Sequence, residues 1–145
     1  MNPVPLFLII VTLPLLLGGC GDKPNLYYEI EGDTVTITYG FKKPSGKLVI
    51  PATIEGKTVT SIGDGAFIGC TSLTTIEVSA RNADYTIVNG VLFNKEKTVL
   101  HTYPAGKTGD KYNIPERVTY IEESAFYGCT SLTSITIPDL SLIHI

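Results

Sequence analysis

Apolar positions along this chain fall into three regimes. From Val4 to Gly19 they are almost unbroken, VPLFLIIVTLPLLLGG, with Thr12 and two prolines as interruptions. From Val35 to Ile137 they come in short bursts in which apolar and polar residues alternate. Alternation with period two is the mark of a strand that buries one face, so this middle region predicts many short strands. The last six residues, Leu140-Ser141-Leu142-Ile143-His144-Ile145, form a separate run.

The middle region repeats itself. Ile62 to Ile76 (IGDGAFIGCTSLTTI) and Ile121 to Ile135 (IEESAFYGCTSLTSI) share ten of fifteen positions without a gap. Around them an Ile-Pro or its equivalent closes each burst, at Ile50-Pro51, Ile114-Pro115 and Ile137-Pro138. The separation of Pro115 from Pro138 sets a short period of about 23 residues, and that of Ile50 from Val78 a long one of about 28 residues, both in the range of leucine-rich repeats. The excess in the long period is a turn inserted around Glu55-Gly56-Lys57-Thr58. Leu73, Ile76, Val78 and again Leu132, Ile135, Ile137 are spaced as the L-x-x-L-x-L strand of that class. The predicted fold is therefore a β-rich solenoid. Each coil supplies a short parallel strand that proline ends, because proline has no N–H for a further ladder bond. One coil cannot cover its own apolar face, so successive coils must stack.

Within each copy, Ala66-Phe67 and Ala125-Phe126 are expected in a short helical or 3₁₀ turn, with Asp64 and Glu122-Glu123 capping it. Asn82 falls one residue late for the asparagine that follows the strand in many such repeats, which speaks against an asparagine ladder. Residues 80 to 111 break the period. Gly90 to Phe93, a turn at Asn94 to Lys97, and Thr98 to Tyr103 predict a hairpin inserted into an enlarged coil. The pattern leaves open which face Val99, His101 and Tyr103 take against Leu100 and Thr102. Most of the eight tyrosines are expected in the core.

Residues 1–19 have the length and small-residue ending of a secretory signal, being too short to span a bilayer comfortably. Leu17-Gly18-Gly19-Cys20 is similar to the lipobox of bacterial lipoproteins, in which the cysteine is lipidated, and assigns lipidation to Cys20. Residues 20–47 are read as anchor and N-terminal cap region and 48–139 as the solenoid. Residues 140–145 match the translation of a transposon end used in sequencing libraries and are read as adaptor.

Ala-Phe-x-Gly-Cys-Thr-Ser-Leu-Thr-x-Ile followed by Ile-Pro resembles the repeats of the BspA-like leucine-rich-repeat surface proteins. Asn89-Gly90-Val91-Leu92-Phe93-Asn94-Lys95 and Tyr103-Pro104-Ala105-Gly106-Lys107 resemble that family's enlarged repeat. The resemblance implies a right-handed solenoid on the bacterial cell surface. It implies binding of host matrix proteins or other bacteria, and it brings no catalytic residues with it.

Composition and chemistry narrow the field further. Eleven Lys and Arg against fourteen Asp and Glu leave a net charge of -3, without the basic footprint that nucleic acid requires. Gly56-Lys57-Thr58 and Gly106-Lys107-Thr108 lack the upstream glycine of a phosphate loop and are read as turns. His101 has no carboxylate within four residues, so it is read as a partly buried strand histidine and no metal or cofactor is assigned. Cys70 and Cys129 hold equivalent positions two coils, about 10 Å, apart, beyond the reach of a disulfide, and are expected buried and reduced. The expected function is a non-catalytic, lipid-anchored module binding a host matrix protein, a glycan or another bacterial surface protein. Its expected binding face is Thr75, Glu77, Ser79, Ser134 and Thr136. The alternative is a passive repeat stalk that presents a C-terminal domain, which an enzyme could occupy.

Overall fold

The computed structural model describes residues 26–138. The segments read as signal and adaptor, and Cys20, lie outside them. Twelve strands follow one another in this region. They are β1 (Tyr27–Glu31), β2 (Thr34–Thr38), β3 (Gly46–Ile50), β4 (Thr53–Ile54), β5 (Lys57–Ile62), β6 (Leu73–Val78), β7 (Tyr85–Val88), β8 (Val91–Asn94), β9 (Val99–Thr102), β10 (Lys111–Asn113), β11 (Tyr120–Ile121) and β12 (Ser134–Thr136).

Eight of these strands build four coils, each with a first and a second strand where a single one was expected. Parallel pairing joins first strands β2 to β5 and β9 to β11, and second strands β3 to β6 and β10 to β12. The registers reproduce the repeat lengths read from sequence: Tyr112 stands opposite Ile135, one short period on, and Ile50 opposite Val78, one long period on. The first coil begins at Thr34, inside the segment read as a cap, and β1 folds back on β2 as an antiparallel edge. The inserted turn is a tight hairpin between β4 and β5, with Glu55 and Gly56 both at positive φ.

Alternation decides what enters the core. In β3, Leu48 and Ile50 are buried while Lys47 and Val49 face out, and in β6 Leu73 and Ile76 are buried while Thr75 and Glu77 face out. Two clusters result. One joins Val35, Ile37, Leu48, Ile50, Val59, Leu73 and Ile76 through coils one and two, and the other joins Phe93, Leu100, Tyr103, Tyr112, Val118 and Ile121 through coils three and four.

Three expectations need correction. No helix, α or 3₁₀, occurs among the described residues. Ala66, Ile68 and Cys70 donate to Gly63, Gly65 and Phe67, and Ala125, Tyr127 and Cys129 repeat the arrangement in the second copy. These bonds fall on every second residue, so no two consecutive N–H groups start a ladder, and so short a connection cannot offset the entropy of helix nucleation. With no helix to cap, Asp64 instead accepts a hydrogen bond from the Ser124 hydroxyl at 3.2 Å.

The enlarged coil has three antiparallel strands, not two. A tight turn at Asn89-Gly90, both at positive φ, joins β7 to β8. The Asn94–Lys97 turn then joins β8 to β9. Gly90, expected in a strand, belongs to that first turn, whose left-handed backbone suits asparagine and glycine. Among the tyrosines, Tyr103 and Tyr112 are buried and Tyr28 and Tyr85 half-buried, whereas Tyr27, Tyr39, Tyr120 and Tyr127 are exposed.

Candidate functional site

The second strands present the outward residues as registered rows. Lys47 stands opposite Thr75 and Val49 opposite Glu77; Lys111 stands opposite Ser134 and Asn113 opposite Thr136. The predicted residues Thr75, Glu77, Ser134 and Thr136 are exposed, while Ser79 is half-buried in the turn after β6, where its hydroxyl accepts from the Arg81 N–H. The structure does not gather the five into one cluster. Thr75 and Glu77 belong to the β3–β6 pair and Ser134 and Thr136 to the β10–β12 pair, which are separate sheets. Lys47, Val49, Lys111 and Asn113, not singled out from sequence, complete the same rows. The two repeat periods carried the signal for them, since each stands one period before a predicted residue. One ion pair ties the first rows diagonally, Lys47 Nζ to Glu77 Oε1 at 2.7 Å.

Between the two sheets the enlarged coil is fastened by three polar side chains and one close-packed glycine. Asn82 is fully buried: its side-chain oxygen accepts from Asp84 N and Tyr85 N at 2.9 Å each, and its amide donates to Pro51 O at 3.1 Å and Val59 O at 3.5 Å. All four partners are backbone groups, so this asparagine locks one coil to its neighbours and is not a rung of a ladder. Asn94 plays the lesser part at the next turn, its oxygen accepting from Thr98 N and Val99 N. Gly106 bonds to Leu73 O, and a β-carbon there would stand 2.9 Å from Thr71 O, so the corner admits only glycine without displacement.

His101 is the third of these side chains. It is buried in β9, with Nε2 3.2 Å from Ile62 O and Nδ1 2.9 Å from Thr102 Oγ1, and with the Tyr85 ring edge-on at 5.9 Å. A carbonyl only accepts, so Nε2 carries the proton and donates while Nδ1 accepts from the threonine hydroxyl. Burial pushes its pKa below the ordinary value, against a partial opposing pull from Ile62 O, Glu122 and Asp64. Both ring nitrogens are occupied, which leaves no lone pair for the nearby Ser124. Leu100, His101, Thr102 and Tyr103 are all buried. That is why alternation could not choose a face for this strand: the hairpin covers one side and the coils the other.

Cys70 is buried and Cys129 half-buried, both as free thiols. Burial raises each thiol, that of Cys129 to about 11, and Cys129 Sγ rests 3.7 Å from Tyr103 O.

A stack of parallel strands with a registered outward face and a leucine-led inward one is the leucine-rich-repeat class of solenoid. The model of the BspA type leucine-rich repeat region, built of six copies, matches residues 45–100 and 105–145. The chain belongs to that family. Among solved structures it is similar to a leucine-rich repeat protein of Eubacterium ventriosum ATCC 27560, at 41% identity and TM-score 0.57, over 63% of this chain and 23% of that one. It is also similar to the pneumococcal vaccine antigen PcpA, at 26% identity and TM-score 0.54, over 64% of this chain and 27% of that one. The chain thus spans about a quarter of the length of each. No curated protein matches it.

Proposed function

We propose that this chain is part of an exported, lipid-anchored bacterial surface protein whose solenoid binds a macromolecular partner without catalysing a reaction. The observation that carries this reading is the two sets of registered rows: exposed Thr, Ser, Asn, Glu and Lys side chains held on the β3–β6 and β10–β12 sheets at strand spacing. Such a surface recognises an extended partner, a host matrix protein, a glycan or another bacterial surface protein, through many moderate contacts. Membership of the BspA-type family supports it, and so does likeness to a pneumococcal antigen. The lipobox-like Leu17-Gly18-Gly19-Cys20 supports export and lipid anchoring. Solenoids of this class are ordinarily scaffolds, and His101, the one histidine in the described residues, is committed to structural hydrogen bonds.

Purified protein screened against matrix proteins, glycan arrays and bacterial cells should show saturable binding to one of them. The double variant Glu77→Lys and Thr136→Lys should weaken that binding by about tenfold or more, the loss of roughly 1.4 kcal/mol. Absence of saturable binding, or binding that the double variant leaves intact, would overturn the assignment of this face.

A further inference from the structure

Three aromatic side chains are left in solvent at one end of the β1–β2 hairpin: Tyr27 at 42%, Tyr39 at 52% and Phe41 at 93% exposure. They are one structure rather than three accidents. Tyr27 pairs with Thr38, its ring packs against Gly40 so closely that no β-carbon would fit, and its hydroxyl accepts from Lys42 N at 3.4 Å. The Lys43 ammonium, buried and without a hydrogen-bond partner, lies 3.3 Å from the centre of the Tyr39 ring. Two rings thus pack against the segment from Tyr39 to Lys43, which carries Phe41 outward at its tip, beside the exposed Lys42.

A fixed aromatic tip flanked by tyrosines and lysine matches the chemistry of a bilayer interface. There, rings with one polar end sit at headgroup level, an apolar tip enters the acyl boundary, and lysine meets anionic phosphate. The position along the chain fits as well. Leu26 lines the same small depression as Tyr27, Gly40 and Lys42. It follows Cys20 by only six positions, a reach of at most about 20 Å. Of the carboxylates of this hairpin, Glu29 is two positions from Tyr27 along β1, and Glu31 and Asp33 are at the far end.

We propose that Tyr27, Tyr39, Phe41 and Lys42 form a membrane contact that seats the first coil on the surface of an anionic phospholipid bilayer. This rests on the lipid-anchor reading of Cys20. The consequence is an orientation: the coils rise from the bilayer in order, and the β10–β12 rows stand farthest from it.

The chain contains no tryptophan, so one introduced at a chosen position is an unambiguous reporter. The full chain, processed and purified from bacterial membranes, is made as Phe41→Trp and, as a control in the last described coil, Tyr127→Trp. Each is reconstituted in phosphatidylglycerol and phosphatidylethanolamine vesicles with brominated acyl chains, and flotation is measured beside emission. The expected result is flotation of both, with blue-shifted and largely quenched emission at position 41 and water-like, unquenched emission at position 127. Flotation with water-like emission at both positions overturns the membrane contact and leaves the anchor standing; the loop would then be free for a protein partner. Failure of the processed chain to float removes the anchor and this contact with it.

Discussion

Ile62–Ile76 in coil two and Ile121–Ile135 in coil four share ten of fifteen residues and the same pattern of turn hydrogen bonds, yet they are buried differently. In coil two Phe67, Cys70, Leu73 and Ile76 are inside, Leu73 to 1% exposure. In coil four Phe126, Cys129 and Leu132 are half-buried and Ile135 is 38% exposed. Local sequence sets the shape of a coil, and its neighbours set how much apolar surface the shape removes from water. Coil two is covered on both sides; coil four is covered on one side by the described residues.

The sharpest way to break this comparison is to delete the same side chain twice. Leu73→Ala should lower the free energy of unfolding by about 2 to 5 kcal/mol, because a closed core cannot collapse around the void. Leu132→Ala should remove about 1 kcal/mol, since water already reaches the site. Urea midpoints of the two variants decide between unequal and equal losses, and equal losses would refute the role given to neighbours. Next in size, Asn82→Ala should lower stability by roughly 2 to 3 kcal/mol, because it strands backbone groups in the interior. Asn94→Ala, at a half-buried turn, should lose less in the same urea titration.

A smaller effect depends on pH. His101 has a folded pKa below its unfolded value of 6.5, so below that value the unfolded chain binds more protons than the folded one. Its contribution is therefore intact above about pH 6.5 and is lost as pH falls toward the depressed folded pKa. Thermal melts between pH 7.5 and 5 should show a declining midpoint that His101→Gln makes shallower. An unchanged slope would place the titration elsewhere. Least of all, Lys47→Ala, which breaks the exposed pair with Glu77, should shift stability by no more than about 0.5 kcal/mol and lose any effect in high salt.

Much of this architecture was legible because burial and period agree. Ile76 and Val78 alternate with the outward Thr75 and Glu77 as a half-buried strand must, and the short and long periods reappear as strand registers. What escaped had physical reasons. The Asn89-Gly90 turn is a strong hairpin signal, but Tyr85–Val88 before it is half-buried throughout and gives no clear alternation. A second repeat also lay unread. Thr34–Pro51 and Thr98–Pro115 share eight of eighteen residues at an offset of 64. In space the first strands match at an offset of 63, since Gly63 N bonds to Ile37 O as Glu122 N bonds to Leu100 O. Just past β2, Tyr39 is exposed at the proposed membrane contact, while its sequence counterpart Tyr103, just past β9, packs inside against Tyr112 and Phe126. Of the candidate face, the sequence located Thr75, Glu77, Ser134 and Thr136, but not their division between two sheets, which the inserted hairpin imposes.

Backbone hydrogen exchange, followed residue by residue in the intact chain, tests most directly whether neighbours set the strength of a repeat. Amides of Leu73–Val78 should exchange only through global unfolding, and those of Ser134–Thr136 at least about a hundredfold faster, through a local opening about 2.7 kcal/mol easier. Equal protection of the two strands would contradict the account.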